Sequence, residues 1–250
     1  MIHQIGGKTQ RYLFIAFLVL SMVTPLLALP YEQTEEYRQK RAILNERAAR
    51  FKAETGFEGS IDYNYRDMKF SRLTGKFTGM QISATQDTVS TGNAIDQVLL
   101  RISPYILARE DQLNFTSSES NRYMVSKKWE QKVNGFSVYP RKFIIVAYNL
   151  PTKEFIISDS TVDLPSCPVQ MNISKTEAKQ LMLDAYKQSV YCKDVNNRYH
   201  RDPSIGYIRV SATEISPHYR LCWSMMFDNI SISVDAETQE IRFSDIVRVY

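Results

Sequence analysis

The chain has 250 residues, 44% of them hydrophobic and 23% charged, with a formal net charge of +4. That is ordinary globular composition, enough for one large or two small cores, and it excludes a disordered chain and a collagen-like repeat. The weak charge and the lack of a basic stripe with interleaved aromatics leave no footprint for nucleic acid.

Lys8 and Arg11 precede the apolar run "YLFIAFLVLSMVTPLLA", which the acidic "YEQTEE" follows at once. This predicts a secretory leader or a single membrane anchor over residues 1–29, because the run is about as long as the shortest spanning helix. Ala28 offers a small residue for cleavage and Leu26 is bulky; cleavage is the preferred reading. Either way the bulk of the protein is exported, to a secreted, periplasmic or cell-envelope location. Without Lys8 and Arg11 the basic count falls from 31 to 29 against 27 acids, a charge of about +2. Residues 30–58, rich in helix formers with a thin apolar set in Tyr37, Ile43, Leu44 and Phe51, read as a solvated helical stalk.

Two stretches with the same order of elements follow. The first has "GKFTGMQIS" as a strand. "TGNAIDQVLLRIS" is then a helix that buries Ile95, Val98, Leu99 and Ile102 and stops at Pro104. "RYMVSKKWEQKV", "FSVYPRKFIIVAYN" and "EFIISDSTVD" are extended. The run Phe143–Tyr148 is apolar at every position, which predicts a strand covered on both faces, by its own helix and by the sister unit or a partner. "DLPSCP" marks the boundary. The second stretch opens with a capping box, Ser174 and Glu177, on a helix burying Ala178, Leu181, Met182 and Ala185. Four extended runs complete it. The fold class is α+β, each unit a helix packed on a curled antiparallel sheet.

Within these runs Gln131, Asn134, Gly135, Val138 and Tyr139 resemble the fungalysin/thermolysin-type propeptide motif. Ile173, Ser174, Glu177, Ala178, then Tyr219, Leu221, Trp223, then Val234, Asp235, Thr238, Glu240 and Ile241 resemble a PepSY domain. The resemblance runs from about Leu73 to the C-terminus. It implies two tandem cystatin-like units, a propeptide-like domain at 59–163 and a PepSY domain at 164–250, with no metalloprotease catalytic domain. Ser137 stands where the motif prefers Pro, Thr152-Lys153 replaces an Asp-Gly turn, and Gln239 occupies a hairpin glycine, so the loop geometry is where this chain departs.

Chemistry is thinly represented. No His-Glu-x-x-His occurs, and His3, His200 and His218 with three cysteines fit no zinc spacing. Cys222 has His218 four residues upstream, an even offset that shares a strand face, but Pro217 places that histidine in a loop; a buried thiol is the better reading. Cys167, Cys192 and Cys222 allow one disulfide with one thiol left over, and the spacing does not choose the pair. The residues point to a non-enzyme without cofactor or metal. The resemblance implies a protein partner, a thermolysin-like metalloprotease inhibited or chaperoned in trans, contacted through Gln131, Asn134, Tyr139 and Phe143. The alternative is a cell-envelope binding or scaffolding module with no protease partner, in which these residues are core or turn fillers.

Overall fold

A computed structural model describes residues 31–80, 82, 88–164, 170–189, 202–209, 219–227 and 230–245. The apolar N-terminal run, Cys167, Cys192 and all three histidines lie outside them. Two compact units are present, 1–47 and 48–250.

In the first unit a 3-10 turn, Tyr31–Gln33, leads into helix α1, Glu35–Thr55, which continues into the second. Thr34 starts the helix by accepting a hydrogen bond from the Tyr37 amide at 3.2 Å while its own hydroxyl donates to the Tyr31 carbonyl at 2.7 Å. Tyr31 and Tyr37 meet edge to face, centroids 5.4 Å apart, and Lys40 pairs with Glu36 one turn back. Among the described residues no helix is long and apolar enough to cross a membrane.

The second unit begins with the last two turns of α1, where the stalk reading fails. Ala48 and Phe51 are buried in a hydrophobic core, and the Phe51 ring lies 5.4 Å from both Phe57 and Phe70 and 5.0 Å from Tyr105. A phenylalanine so placed is worth about 3 kcal/mol or more, which a charged, weakly patterned segment does not advertise. The strand predicted at "GKFTG" is the second arm of a hairpin: β1, Phe57–Asn64, pairs with β2, Lys69–Phe77. Helix α2, Thr88–Ile102, then buries Ile95, Val98 and Ile102 as its spacing requires, and Pro104 opens the 3-10 turn that ends it.

The remaining strands are β3 (Leu113–Ser120), β4 (Met124–Val133), β5 (Phe136–Tyr139), β6 (Phe143–Asn149) and β7 (Glu154–Asp159). After helix α3, Lys175–Gln188, come β8 (Ser204–Arg209), β9 (Tyr219–Phe227), β10 (Ile230–Asp235) and β11 (Ile241–Asp245). The eleven strands among the described residues belong to one sheet in the order β1-β2-β7-β6-β4-β5-β8-β9-β10-β11, with β3 on the other edge of β4. Each pair is antiparallel except β5–β8. Helix α2 covers β4 and β6 and helix α3 covers β9 and β10, giving two cores on one continuous sheet. The α+β class is therefore observed, but the two helix-on-sheet layers are joined edge to edge.

The capping box on α3 is formed as expected: Ser174 Oγ accepts from the Glu177 amide at 3.3 Å and Glu177 Oε2 accepts from the Ser174 amide at 2.8 Å. The Ser174 hydroxyl and, after it, the Ser174 amide lower the Glu177 carboxyl pKa from its ordinary value. Its buried stripe is Ala178, Met182 and Tyr186, with Leu181 packed at the edge and Ala185 only half-buried.

Three hairpins turn by one device. Asn64, Asn149 and Asp235 each accept amide hydrogen bonds on Oδ1 from residues two or three positions on. The fourth residue along, Met68, Lys153 or Gln239, is left-handed with φ of 50°, 55° and 63°. This is a type I turn closed by a left-handed residue, where glycine is usual. The departures at Lys153 and Gln239 thus leave the geometry intact, and each side chain instead bears a strain of about 1 kcal/mol.

Candidate functional site

The residues singled out from sequence lie along the end of β4, the tight turn after it, β5 and the start of β6. The turn is Asn134-Gly135, with φ of 51° and 82°. Positive values at both central positions match the right-handed twist of the strands it joins, which is why Asn-Gly is favoured there. Asn134 is exposed at the tip, its Nδ2 donating to the Tyr207 hydroxyl at 3.3 Å.

Beyond the turn, Phe136 faces Val133 and Ser137 faces Lys132. On that register Glu130 would face Tyr139; it faces Phe143. The register therefore shifts by four residues between Ser137 and Phe143, an enlarged bulge that contains the cis Tyr139–Pro140 bond and closes where the Lys142 carbonyl accepts from the Gln131 amide at 2.8 Å. The bulge frees the outer edge of β5, which pairs in parallel with β8 through Val138 opposite Tyr207 and Tyr139 opposite Ile208. Gly206 makes this approach feasible: a Cβ there would sit 2.4 Å from the Tyr139 ring and 2.6 Å from the Ser137 carbonyl oxygen. Tyr139 is accordingly a seam residue.

Gln131 has no exposed surface. Its Nε2 donates to Gln112 Oε1 at 3.0 Å and to the Val162 carbonyl at 2.7 Å, and its Oε1 accepts from the Val162 amide at 3.0 Å. Gln112 in turn donates to the Leu164 carbonyl at 2.8 Å. Three residues back along the same segment, Asp159 accepts from the Thr161 amide at 2.7 Å and pairs with the buried Lys69 ammonium at 3.2 Å. Lys69 also donates to the Thr161 carbonyl, and burial pushes its pKa down against the pull of Asp159. Residues 159–164, which carry the chain from the first core to the second, are thus held by a buried polar bracket. Gln131 belongs to that bracket and offers no face to a partner.

Phe143 differs from the rest. Burial on β6 alternates as far as Val146: Ile144, Val146 and Tyr148 enter the first core, Phe143 and Ile145 point the other way and are only half-buried, and Ala147, the next residue on that outward face, is buried. The expectation that this strand is covered on both faces is not met by a second layer of described residues; long polar side chains do part of the work. Lys128 Nζ lies 4.4 Å above the Phe143 ring, and Ile156 on β7 is a further half-buried apolar residue on that face. Beside them Glu130 Oε1 is buried and makes no hydrogen bond among the described residues, with Arg141 Nε 3.9 Å away.

Cys222 is a free, fully buried thiol. Burial, aided by the Asp235 charge, pushes its pKa up to about 12, so at neutral pH it is a protonated core group. Among the described residues no group of three or more His, Cys, Asp or Glu side chains is arranged to hold a metal ion.

No protein-family model and no curated protein matches the chain. Among solved structures the chain is similar to the "Bacillus megaterium YpeB C-terminal domain", at 13% identity over 81% of this chain and 96% of that one. The TM-score is 0.27, a likeness too loose to carry an argument.

The bulge, the bracket and Gly206 were not read from the sequence as functional features. Gly206 alone left a signal, a glycine inside an otherwise apolar strand pattern; Gln112 and Glu130 left none, because their roles depend on strands distant in the chain.

Proposed function

We propose that this chain is a non-catalytic protein-binding module that engages its partner through the outward face of β6 and β7. The observation that carries the reading is the half-buried row Phe143, Ile145 and Ile156, which lies in neither core, next to a buried Glu130 oxygen that lacks a donor among the described residues. An apolar strip rimmed by Lys128, Glu130 and Arg141 is the composition of a protein-recognition patch. The partner class that the propeptide-like motif suggests is a thermolysin-like metalloprotease, inhibited or assisted in folding in trans.

Titration of residues 30–250 into such a protease, following peptide hydrolysis and direct binding, tests the reading. Saturable inhibition that falls at least tenfold with Phe143→Ala or Ile145→Ser supports it. Binding untouched by both variants removes this face, and no binding at all removes the protease. A second reading, an exported scaffolding module, is favoured by Tyr139, which is engaged inside the molecule against Gly206. It predicts no effect of the chain on protease activity.

A further inference from the structure

The edge of an open sheet offers unpaired main-chain groups to any strand that comes near, and folded proteins blunt such edges. Among the described residues the sheet has three outer strands, β1, β3 and β11. Two of them carry a defence. On β1 the Lys52 ammonium of α1 donates to the Gly59 carbonyl at 2.9 Å, and Glu58 and Asp62 add charge. On β3 the register breaks between Phe115 and Ser117, and the polar run Ser117, Ser118, Glu119 and Ser120 follows. Strand β11 has no proline, no lysine and no break in its register with β10. Its one cation, Arg242, donates to Glu240 Oε2 at 2.6 Å.

The hairpin that leads into β11 fixes the direction of its main chain. The Asp235 amide donates to the Glu240 carbonyl at 2.9 Å, and antiparallel pairs alternate between hydrogen-bonded and non-bonded from there on. Val234–Ile241, Ile232–Phe243 and Ile230–Asp245 are therefore the non-bonded pairs. The N–H and C=O groups of Ile241, Phe243 and Asp245 accordingly point away from β10, to a side on which no described strand pairs. Phe243 adds apolar surface at the same edge. It stands opposite the buried Ile232 on the face that α3 covers at β9 and β10, yet it remains 45% exposed. Ile241, two residues before it on the same face, packs against the second core.

We infer that β11 is a self-association edge, to which a second copy of this chain adds its own β11 antiparallel about a two-fold axis at Phe243. The register is what selects a second copy. Outward-pointing main-chain groups bond only to groups that point outward in return, and pairing centred on Phe243 matches all of them. Phe243 meets Phe243 of the second copy, Ile241 meets its Asp245, and Asp245 meets its Ile241. Each pair exchanges two hydrogen bonds, about six in all, and a slide by two residues loses one pair. The same register sets the two Phe243 rings opposite each other on the face that carries α3, so the apolar surface left at the edge of one core meets its counterpart. This edge is separate from the β6–β7 face, and the association does not rest on the protease reading.

Sedimentation velocity of the purified chain, from low micromolar to submillimolar concentration, tests the inference. A concentration-dependent shift toward twice the monomer mass is expected. Phe243→Lys should weaken the dimer at least tenfold, because it removes the ring pair and sets two ammonium groups opposite each other, whereas Ser118→Lys on the β3 edge should leave it unchanged. Hydrogen exchange supplies a readout on the wild-type chain. The Arg242 and Ser244 amides, turned toward β10, should be protected at every concentration, while those of Ile241 and Phe243 should exchange fast when dilute and slow several-fold when concentrated. A chain that stays monomeric throughout overturns the inference and leaves the edge to a strand of another protein. A dimer that Phe243→Lys leaves intact, or that Ser118→Lys weakens equally, overturns it too, as do Ile241 and Phe243 amides that exchange equally fast at both extremes.

Discussion

Replacing Gln131 by leucine separates a structural bracket from a partner contact. Leucine ends one bond short of glutamine but fills a similar volume, so the substitution acts mainly through the lost polar atoms. It takes the Oε1 acceptor from the Val162 amide at 3.0 Å and the Nε2 donor from the Val162 carbonyl at 2.7 Å and from Gln112 Oε1 at 3.0 Å. Gln131 has no exposed surface and Gln112 is 1% exposed, so water cannot replace these bonds without disrupting the packing. Each buried group stripped of its partner costs about 1–3 kcal/mol, and neighbouring losses overlap, which gives a total of about 3–5 kcal/mol. That is a large share of the ~5–15 kcal/mol of an ordinary domain. Urea unfolding of wild type, Gln131→Leu and Gln131→Glu measures it directly. The glutamate keeps the Val162 amide bonded but loses the donor and buries a charge, so it too should be strongly destabilised. A loss under 1 kcal/mol for Gln131→Leu would refute the bracket.

Gly206→Ala should cost at least 2 kcal/mol and raise hydrogen exchange at Val138 and Tyr139, since the added carbon falls inside the Tyr139 ring contact; an unchanged exchange pattern would deny that the seam is closely packed. Lys153→Gly and Gln239→Gly should each raise stability by about 0.5–1 kcal/mol, the relief of left-handed strain less the greater chain entropy of glycine; a loss of stability at both sites would mean these turns are not left-handed. Cys222 gives a pH prediction. Its folded pKa is raised above the ordinary value, so its contribution is complete below about pH 9 and is lost as pH rises toward 12, by up to roughly 4 kcal/mol. The stability difference between wild type and Cys222→Ala should therefore move against wild type between pH 8 and 10.5 in parallel denaturant titrations. A difference that stays constant with pH would mean the thiol is not buried.

Sequence by itself determined the features that depend on neighbours in the chain. The apolar spacing of Ile95, Val98 and Ile102 and the Ser174–Glu177 box each carry their own geometry, because a helix face and a cap are set within a few residues. The turns at Asn134-Gly135 and at Asp235 likewise follow from residues that bond their own backbone or tolerate positive φ. Tertiary structure decided what those elements meet. Phe51 looked like part of a solvated stalk and is a core residue, because a charged helix needs only one buried face to be captured. The run Phe143–Tyr148 looked covered on both sides and is covered fully on one, since an apolar strand does not say whether a second layer arrives. Gln131, by its sequence a candidate contact or a turn filler, bonds Val162 directly and reaches Leu164 through Gln112, nineteen positions away, a pairing no local pattern encodes. Whether the two helix-covered layers fold face to face or share a sheet was decided by a four-residue bulge and one glycine. Strand pairing over such distances rewards geometry that exists only once both strands are in place.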